Sequence, residues 1–283
     1  FNLDPADAER RITPRTKAIM VVHQMGMPAD LDAFLDIGRR RGVKIFEDGA
    51  CALGSRYKGR PIGAHSEMVC FSFHPRKVIS TGDGGMVTTN NAAYADKMRL
   101  LRQHGMSVTD AARHAAKTVV IEEYPILGYN FRLTDLQAAV GLEQMKRLDG
   151  LIARRVALAE RYALRIRQCA LPLVLPFVPD YAQPNFQSYP VILSDECRVS
   201  RNEVLQRLLD AGIAARRGIM TAHREKAYTD AYGPQSLPIT ERTSDRSLLL
   251  PLFPQMTDSE QDRVVEALCK AVIGNGKAAS GTC

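Results

Sequence analysis

A single lysine, Lys77, stands between an apolar run and a glycine-rich turn within the stretch from Phe71 to Asn90. Upstream, Asp48 stands at the end of another apolar run. A lysine amine can form a Schiff base with a carbonyl group, and a carboxylate can keep a pyridine nitrogen protonated. Pyridoxal phosphate (PLP) chemistry needs both groups. We therefore expect PLP-dependent catalysis if these two residues meet around one cofactor.

Both residues also have simpler interpretations. Most lysines are solvated surface charges, and an acid that follows a strand can cap the next helix. The functional interpretation rests on context, because the glycines of the turn 81–85 let backbone approach a ligand closely. Ligands of open α/β sheets bind beyond the carboxyl ends of strands, where Asp48 is expected. Ser72, just upstream of Lys77, is a candidate donor to a phosphate.

The elements that would position these residues alternate between strand and helix in the first half of the chain. The apolar runs predict strands at 17–22, 43–46, 68–73 and 86–89, and helical spacing predicts helices at 30–41 and 92–104. This alternation is typical of an α/β fold with a mostly parallel sheet covered by helices.

The second half of the chain has a different pattern. A capping box at Thr134 begins a helix that we expect to reach Leu148, and a second helix is predicted at 151–169. After a proline-rich stretch come a strand at 188–193, a helix at 201–211 and a last helix beginning at the capping box of Thr257. We expect a large domain over 1–150, a smaller α+β domain over 151–283 and a disordered tail from residue 274.

Composition excludes several classes of protein. The 283 residues contain six dispersed cysteines without a C-x-x-C motif, which favours reduced thiols in the cytoplasm. No apolar run is long enough to span a bilayer, and the first residues do not resemble a signal peptide. The net charge of +7 fits a solvated surface or a substrate that carries phosphates. The basic clusters are short and dispersed, so we do not expect nucleic-acid binding.

Other catalytic motifs are missing from the sequence. The turn at 82–87 lacks the third glycine of a dinucleotide-binding fingerprint and precedes a strand, and no phosphate-binding P-loop motif is present. The histidines do not have the spacing of metal ligands, so no metal site is expected. The loop 128–132 either simply leads into a helix cap or is a polar loop that offers the amide of Asn130 to an anion.

Three blocks of the sequence resemble the DegT/DnrJ/EryC1/StrS family of PLP-dependent sugar aminotransferases. They are FEDGACALGSRYKGRPIGAHSEMVCFSFHPRKVISTGDGGMVTTN, LGYNFRLTDLQAAVGLEQMKRL and SLLLPLFPQMTDSEQDRVVEAL. The resemblance covers nearly the whole chain and implies a fold-type I PLP-dependent transferase. It also implies a homodimer whose active sites lie at the subunit interface.

The resemblance assigns roles to individual residues. Lys77 matches the Schiff-base lysine and Asp48 the acid on the pyridine nitrogen, whereas Ser72 matches a phosphate-binding serine. Asn130 matches an asparagine that reaches the phosphate of the cofactor in the neighbouring subunit. His223 matches a position on the substrate side of the site.

Two departures from the family pattern stand out. Family members usually carry glutamine or histidine at the position of Cys51, beside the cofactor ring, and a thiol hydrogen-bonds more weakly than either. The chain also begins partway through the family pattern. In that family the preceding segment adds a phosphate-binding loop and an aromatic residue that stacks on the ring. The sequence is therefore a fragment of a longer protein, a truncated form or a divergent member, and truncation would weaken cofactor binding and activity.

The sequence therefore predicts a cytoplasmic, homodimeric aminotransferase that moves an amino group from an amino acid, with glutamate as the expected donor, to a nucleotide-linked keto-sugar. Such sugars serve cell-surface polysaccharides or secondary metabolites. One alternative is a non-catalytic or truncated member of the same fold. A sugar dehydratase is disfavoured, because those relatives carry histidine at the position of Lys77. The alternative that the chain is a nucleic-acid-binding protein is supported only by its net charge.

Overall fold

The computed structural model describes residues 1–273, so the predicted disordered tail lies outside the described residues. The helices are Pro5–Arg10 (α1), Leu31–Arg41 (α2), Ala92–Arg102 (α3), Asp110–Ala115 (α4), Asp135–Met145 (α5), Leu148–Gln168 (α6), Arg201–Asp210 (α7), Lys226–Tyr232 (α8), Pro238–Arg246 (α9) and Asp258–Ile273 (α10). The strands are Ala18–Val22 (β1), Lys44–Asp48 (β2), Arg56–Tyr57 (β3), Arg60–Pro61 (β4), Met68–Ser72 (β5), Gly85–Thr88 (β6), Leu173–Val174 (β7), Ala182–Gln183 (β8), Tyr189–Leu193 (β9), Arg216–Arg217 (β10) and Ser247–Leu250 (β11).

The first sheet has the strand order β1-β2-β5-β6. Strand β2 pairs in parallel with both β1 and β5, whereas β6 is antiparallel to β5. The predicted mostly parallel sheet of a fold-type I transferase is thus confirmed. Because β2 and β5 run side by side in the same direction, their carboxyl ends place Asp48 and Ser72 at one edge of the sheet.

Helix α2 shows how local sequence builds this sheet. The Asp30 side chain accepts a hydrogen bond from the backbone N–H of Ala33, and Gly42 ends the helix in the left-handed conformation that favours glycine. Phe34 and Ile37, one helical turn apart, are buried against the sheet. The helix therefore covers one face of the strands that carry the site.

The second sheet is antiparallel and has the order β10-β11-β9-β7. Helices α6, α7 and α10 pack on it around a core that includes Tyr162, Leu208 and Leu268. A third, small sheet joins β3 to β8. Through this sheet, the segment before β9 contacts the first half of the chain.

Helix α6 contributes to both cores. Leu148 and Ile152 pack with the first core, whereas Leu158 and the later apolar residues of the helix pack with the second. The predicted domain change near residue 150 stays a prediction. The predicted helix boundary was wrong: α5 ends at Met145 and α6 begins at Leu148, because the helix tolerates Gly150 and buries Leu148 in the first core.

Within residues 1–273, no helix combines the length and the apolar character needed to cross a membrane.

Candidate cofactor site

The predicted acid and the predicted phosphate-binding serine lie on one face of the first sheet. Asp48 is the register partner of Cys70 in the parallel β2–β5 pair, and Ser72 follows Cys70 by two positions. Side chains two positions apart on a strand share a face. Electrostatics agree with this placement, because burial and the nearby Asp48 carboxylate together raise the pKa of the Cys70 thiol. An acid and a hydroxyl thus stand at the carboxyl ends of two adjacent strands.

Lys77 reaches the loop that follows Asp48. Its Nζ donates a hydrogen bond to Sγ of Cys51 at 3.2 Å, and its backbone N–H closes a turn onto the carbonyl of His74. Both side chains are half-buried. The Asp48 carboxylate accepts a hydrogen bond from the backbone N–H of Ala50 at 2.9 Å, which fixes the start of the loop carrying Cys51. Amine, thiol and carboxylate therefore converge at this end of the sheet.

The glycine-rich turn lies directly across from Ser72. Gly85 pairs with Ser72 in the antiparallel β5–β6 register, and a side chain at Gly85 would place its Cβ only 2.7 Å from the carbonyl oxygen of Phe71. Gly84 has a φ of +139°, which side chains rarely adopt. The Ser72 hydroxyl accepts a hydrogen bond from the His74 backbone at 3.3 Å. Glycine therefore keeps side chains away from the backbone beside the serine.

A segment from the second half of the chain holds the two loops that meet here. The amide of Asn185 donates to the carbonyl oxygens of Cys51 and Leu53, both at 2.9 Å. The amide of Gln187 donates to the carbonyl of Arg76, the residue before Lys77, at 2.6 Å. Asn185 is fully buried. Two side chains of one segment thus position the backbones of Cys51 and Lys77, a role that sequence reasoning did not predict.

Helix α6 anchors this segment through a buried arginine. Arg155 donates to the carbonyls of Phe186 at 2.8 Å and Gln187 at 2.7 Å. Burial lowers the pKa of Arg155 to about 10. A buried guanidinium is stable only when its donors are well satisfied. The hydrogen bonds to these backbone carbonyls therefore join the helix to the site.

A buried His–Glu pair lies behind Asp48, on the opposite face of β2. His23 and Glu47 are inaccessible to solvent, and the His23 Nε2 lies 2.8 Å from a Glu47 carboxylate oxygen. His23 Nδ1 accepts from the backbone of Ala29, so Nε2 carries the proton that is donated to Glu47. Burial disfavours ionisation of Glu47, but hydrogen bonds from His23 and the Ser66 backbone outweigh it and lower its pKa.

The structure does not bring the remaining two predicted residues into this cluster. Asn130 is exposed and accepts a hydrogen bond from Arg132 at 3.2 Å. His223 lies in a short helical turn of the second half, where its Nε2 is 3.0 Å from Glu241. Within the described part of the chain, no hydrogen bond or ion pair joins either residue to Lys77, Asp48, Cys51 or Ser72.

The chemistry of the donor set fits PLP. Lys77 offers an amine to the cofactor aldehyde, Asp48 a carboxylate to the pyridine nitrogen, and Ser72 a hydroxyl beside a glycine-lined turn for the phosphate. Among the residues that the structure describes, no group of three histidine, cysteine or acidic side chains could hold a metal ion.

Comparison with known structures supports the same fold. PseC of Helicobacter pylori, an aminotransferase involved in the biosynthesis of pseudoaminic acid, superposes with a TM-score of 0.89 at 25% identity, over 96% of this chain and 71% of PseC. DesV of S. venezuelae superposes with a TM-score of 0.84 at 34% identity, over 95% of this chain and 68% of DesV. The aminotransferase TlmJ of Streptoalloteichus hindustanus superposes with a TM-score of 0.85 at 30% identity, over 96% of this chain and 70% of TlmJ.

A family model matches nearly all of the described chain. The match extends from residue 1 to residue 269 and is to the DegT/DnrJ/EryC1/StrS aminotransferases, which are PLP-dependent enzymes. The predicted family, enzyme class and cofactor are therefore confirmed. On this evidence, the chain belongs to the DegT/DnrJ/EryC1/StrS aminotransferase family.

Proposed function

We propose that this enzyme transfers an amino group from an amino acid, with glutamate as the expected donor, to a nucleotide-linked keto-sugar. The observation that carries the proposal is the contact between Lys77 and Cys51, three residues after Asp48 at the carboxyl end of β2. The similarity to PseC, an aminotransferase of pseudoaminic acid biosynthesis, supports a sugar as the acceptor. The net charge of +7 suits a substrate that carries phosphates.

Lys77 performs the proton transfers in this proposal. When bound, PLP supplies an aldehyde that accepts amino groups and a ring that takes up negative charge. With its amine free, Lys77 would remove a proton from the donor's α-carbon as a general base and would deliver it, as a general acid, to the cofactor carbon C4′. Its backbone turn onto His74 and the Gln187 contact to Arg76 keep the amine at the end of the sheet.

Asp48 and Ser72 orient the cofactor in the same scheme. A carboxylate beside the pyridine nitrogen favours the protonated ring, because opposite charges stabilise each other at close range. Ser72 donates its hydroxyl to the phosphate from across the glycine-lined turn. Cys51 lies beside the ring and contributes a weak hydrogen bond. His223, held by Glu241, is proposed to face the substrate.

We also propose that the active enzyme is a homodimer that lies in the cytoplasm. Apolar side chains between 119 and 145 are widely exposed, including Leu127, Phe131 and Leu136. A monomer rarely leaves so large an apolar surface in water, and a second copy of the chain would cover it. Asn130 lies in this exposed segment, which supports its predicted contact with the cofactor of the neighbouring subunit.

Borohydride trapping tests the role of Lys77 directly. The full chain is incubated with PLP, reduced with borohydride and digested, and the labelled lysine is located by mass spectrometry. We expect the label on Lys77, together with a visible absorbance that the Lys77→Ala variant lacks. Amino transfer from glutamate to a nucleotide-linked keto-sugar should also be lost in Lys77→Ala.

Lys97→Ala is the matched control, because Lys97 lies exposed on helix α3. This variant should keep both the label and the turnover. Retained transamination in Lys77→Ala, or a label on another lysine, would refute the assignment. Failure of any lysine to take the label would favour a non-catalytic member of the fold.

A further inference from the structure

We propose that Cys51 and Lys77 form a reversible sulfur–nitrogen bond when the protein is exposed to hydrogen peroxide. The bond forms while the Lys77 amine is not attached to the cofactor. The Lys77 Nζ lies 3.2 Å from the Cys51 Sγ, so the two atoms are already in contact. The proposed reaction gives this pair of residues no redox role. Cys51, which stands where the family pattern usually has glutamine or histidine, would then be a site of reversible modification.

The surrounding structure holds the two atoms together. Asn185 fixes the carbonyl of Cys51 and Gln187 fixes that of Arg76, so one segment positions both reacting loops. Reaction between two groups held in contact gains a large advantage over reaction between free groups. Cys51 is half-buried, which leaves a path for a molecule as small as peroxide while limiting competition from larger thiols.

The chemistry balances in two steps. The Cys51 thiolate attacks peroxide, an S–O bond forms, the O–O bond breaks and hydroxide leaves; sulfur is oxidised to the sulfenic acid and peroxide is reduced. The neutral Lys77 amine then attacks that sulfur, an S–N bond forms, and the S–O bond breaks. The departing hydroxide takes up the one proton that the amine loses, and it leaves as water. A thiol reductant reverses the product to thiol and amine.

Cys70 provides an internal comparison. It is also half-buried and lies on the same edge of the sheet, near Asp48. Burial and the Asp48 carboxylate raise its pKa, so less of this thiol is in the reactive thiolate form. We therefore expect peroxide to modify Cys51 in preference to Cys70.

Peptide mapping of the full chain tests the bond. Cofactor-free protein is treated with peroxide and digested with trypsin without reductant. We expect peptide 45–56 joined to peptide 77–97, lighter by two hydrogen atoms than their sum, with cleavage after Lys77 blocked. Dithiothreitol should restore both peptides. Cys51→Ser should lose the linked pair, and Cys70→Ser should retain it.

Two outcomes would overturn the inference. One is a disulfide joining peptide 45–56 to peptide 59–76, and the other is irreversible oxidation of Cys51 with Lys77 unmodified. Loading with PLP before peroxide should reduce the linked pair severalfold, because the cofactor occupies the Lys77 amine. If the bond forms but PLP does not protect against it, the inference stands and the proposed role of Lys77 fails.

Discussion

Two pairs of helices, one in each half of this chain, bury their side chains to very different extents. In the second half, α7 and α10 pack their apolar faces into a closed core with Tyr162, Tyr189 and Leu248. In the first half, α3 and α5 bury no residue at all, although both are rich in apolar side chains. Leu136 and Leu142 on α5 are 83% and 67% exposed.

This difference shows that helix formation and burial have separate causes here. Helix α5 begins with the same kind of capping box as α10, and each box satisfies backbone donors within its own turn. Local signals therefore suffice to start a helix in either half. Burial of the α5 side chains needs an external surface, which the proposed second subunit would supply.

The largest expected effect on assembly follows from charging exposed apolar positions of α5. Replacing Leu136 and Leu142 together by arginine should convert the proposed dimer to a monomer, because each subunit would bury two unpaired charges in an apolar interface. We expect the dissociation constant to rise roughly thirtyfold or more, corresponding to about 2 kcal/mol or more. Sedimentation across a range of protein concentrations measures this change.

Leu209→Arg is the matched control for that experiment. Leu209 lies on the exposed side of α7, a helix packed into the second core, and is 62% exposed, close to the exposure of Leu142. It should leave the oligomeric state unchanged. If the protein is a dimer and the α5 variant remains one, the proposal that α5 lies in the subunit interface is wrong.

Truncating one leucine in each half sharpens the comparison in terms of stability. Leu268 on α10 is fully buried, so Leu268→Ala should lower the free energy of unfolding by about 2–5 kcal/mol. Leu136→Ala should change the stability of the monomer by less than about 0.5 kcal/mol. Urea denaturation at low protein concentration gives both values. Similar losses of unfolding free energy in the two variants would contradict the assignment of α10 to a closed core and of α5 to an exposed surface.

The first half nevertheless contains a buried polar pair, His23 and Glu47, on the sheet face that α2 covers. In Glu47→Gln, two donors, His23 Nε2 and the Ser66 backbone, would compete for one carbonyl oxygen. We expect the free energy of unfolding to fall by about 1–3 kcal/mol at pH 7, as measured by urea denaturation. Glu67→Gln, which removes the partner of the exposed Lys44, should lower the free energy of unfolding by less than about 1 kcal/mol.

The same variant has a defined pH dependence. The folded-state pKa of Glu47 lies below its ordinary value. The ionised carboxylate therefore contributes fully to the free energy of unfolding above the unfolded-state pKa of about 4.3. That contribution is lost as the pH falls from there through the lower folded-state pKa. The stability difference between wild type and Glu47→Gln should therefore narrow in this acidic range. A difference that widens on acidification would show that Glu47 is buried in the protonated form.

The sequence predicted elements whose signals are local, and missed contacts between distant segments. Asp30 and Gly42 bound α2 in a recognisable way, and the strand-end positions of Asp48 and Ser72 indicated one edge of a sheet. Strand β11 was not predicted as a strand, because its four residues run straight into Pro251. Asn185 meets Cys51 only because β8 pairs with β3.

Removing the two helix caps gives the smallest expected effect and tests whether the halves differ in cooperativity. Thr257→Ala and Thr134→Ala each remove one capping hydroxyl, at a cost of about 1 kcal/mol to the helix. Because α10 is packed into the closed core, Thr257→Ala should lower the global free energy of unfolding by that amount. Helix α5 buries nothing in the described chain, so in the monomer Thr134→Ala should only speed amide exchange within 135–145. Equal losses of global stability would mean that α5 unfolds together with the core, which its exposed side chains argue against.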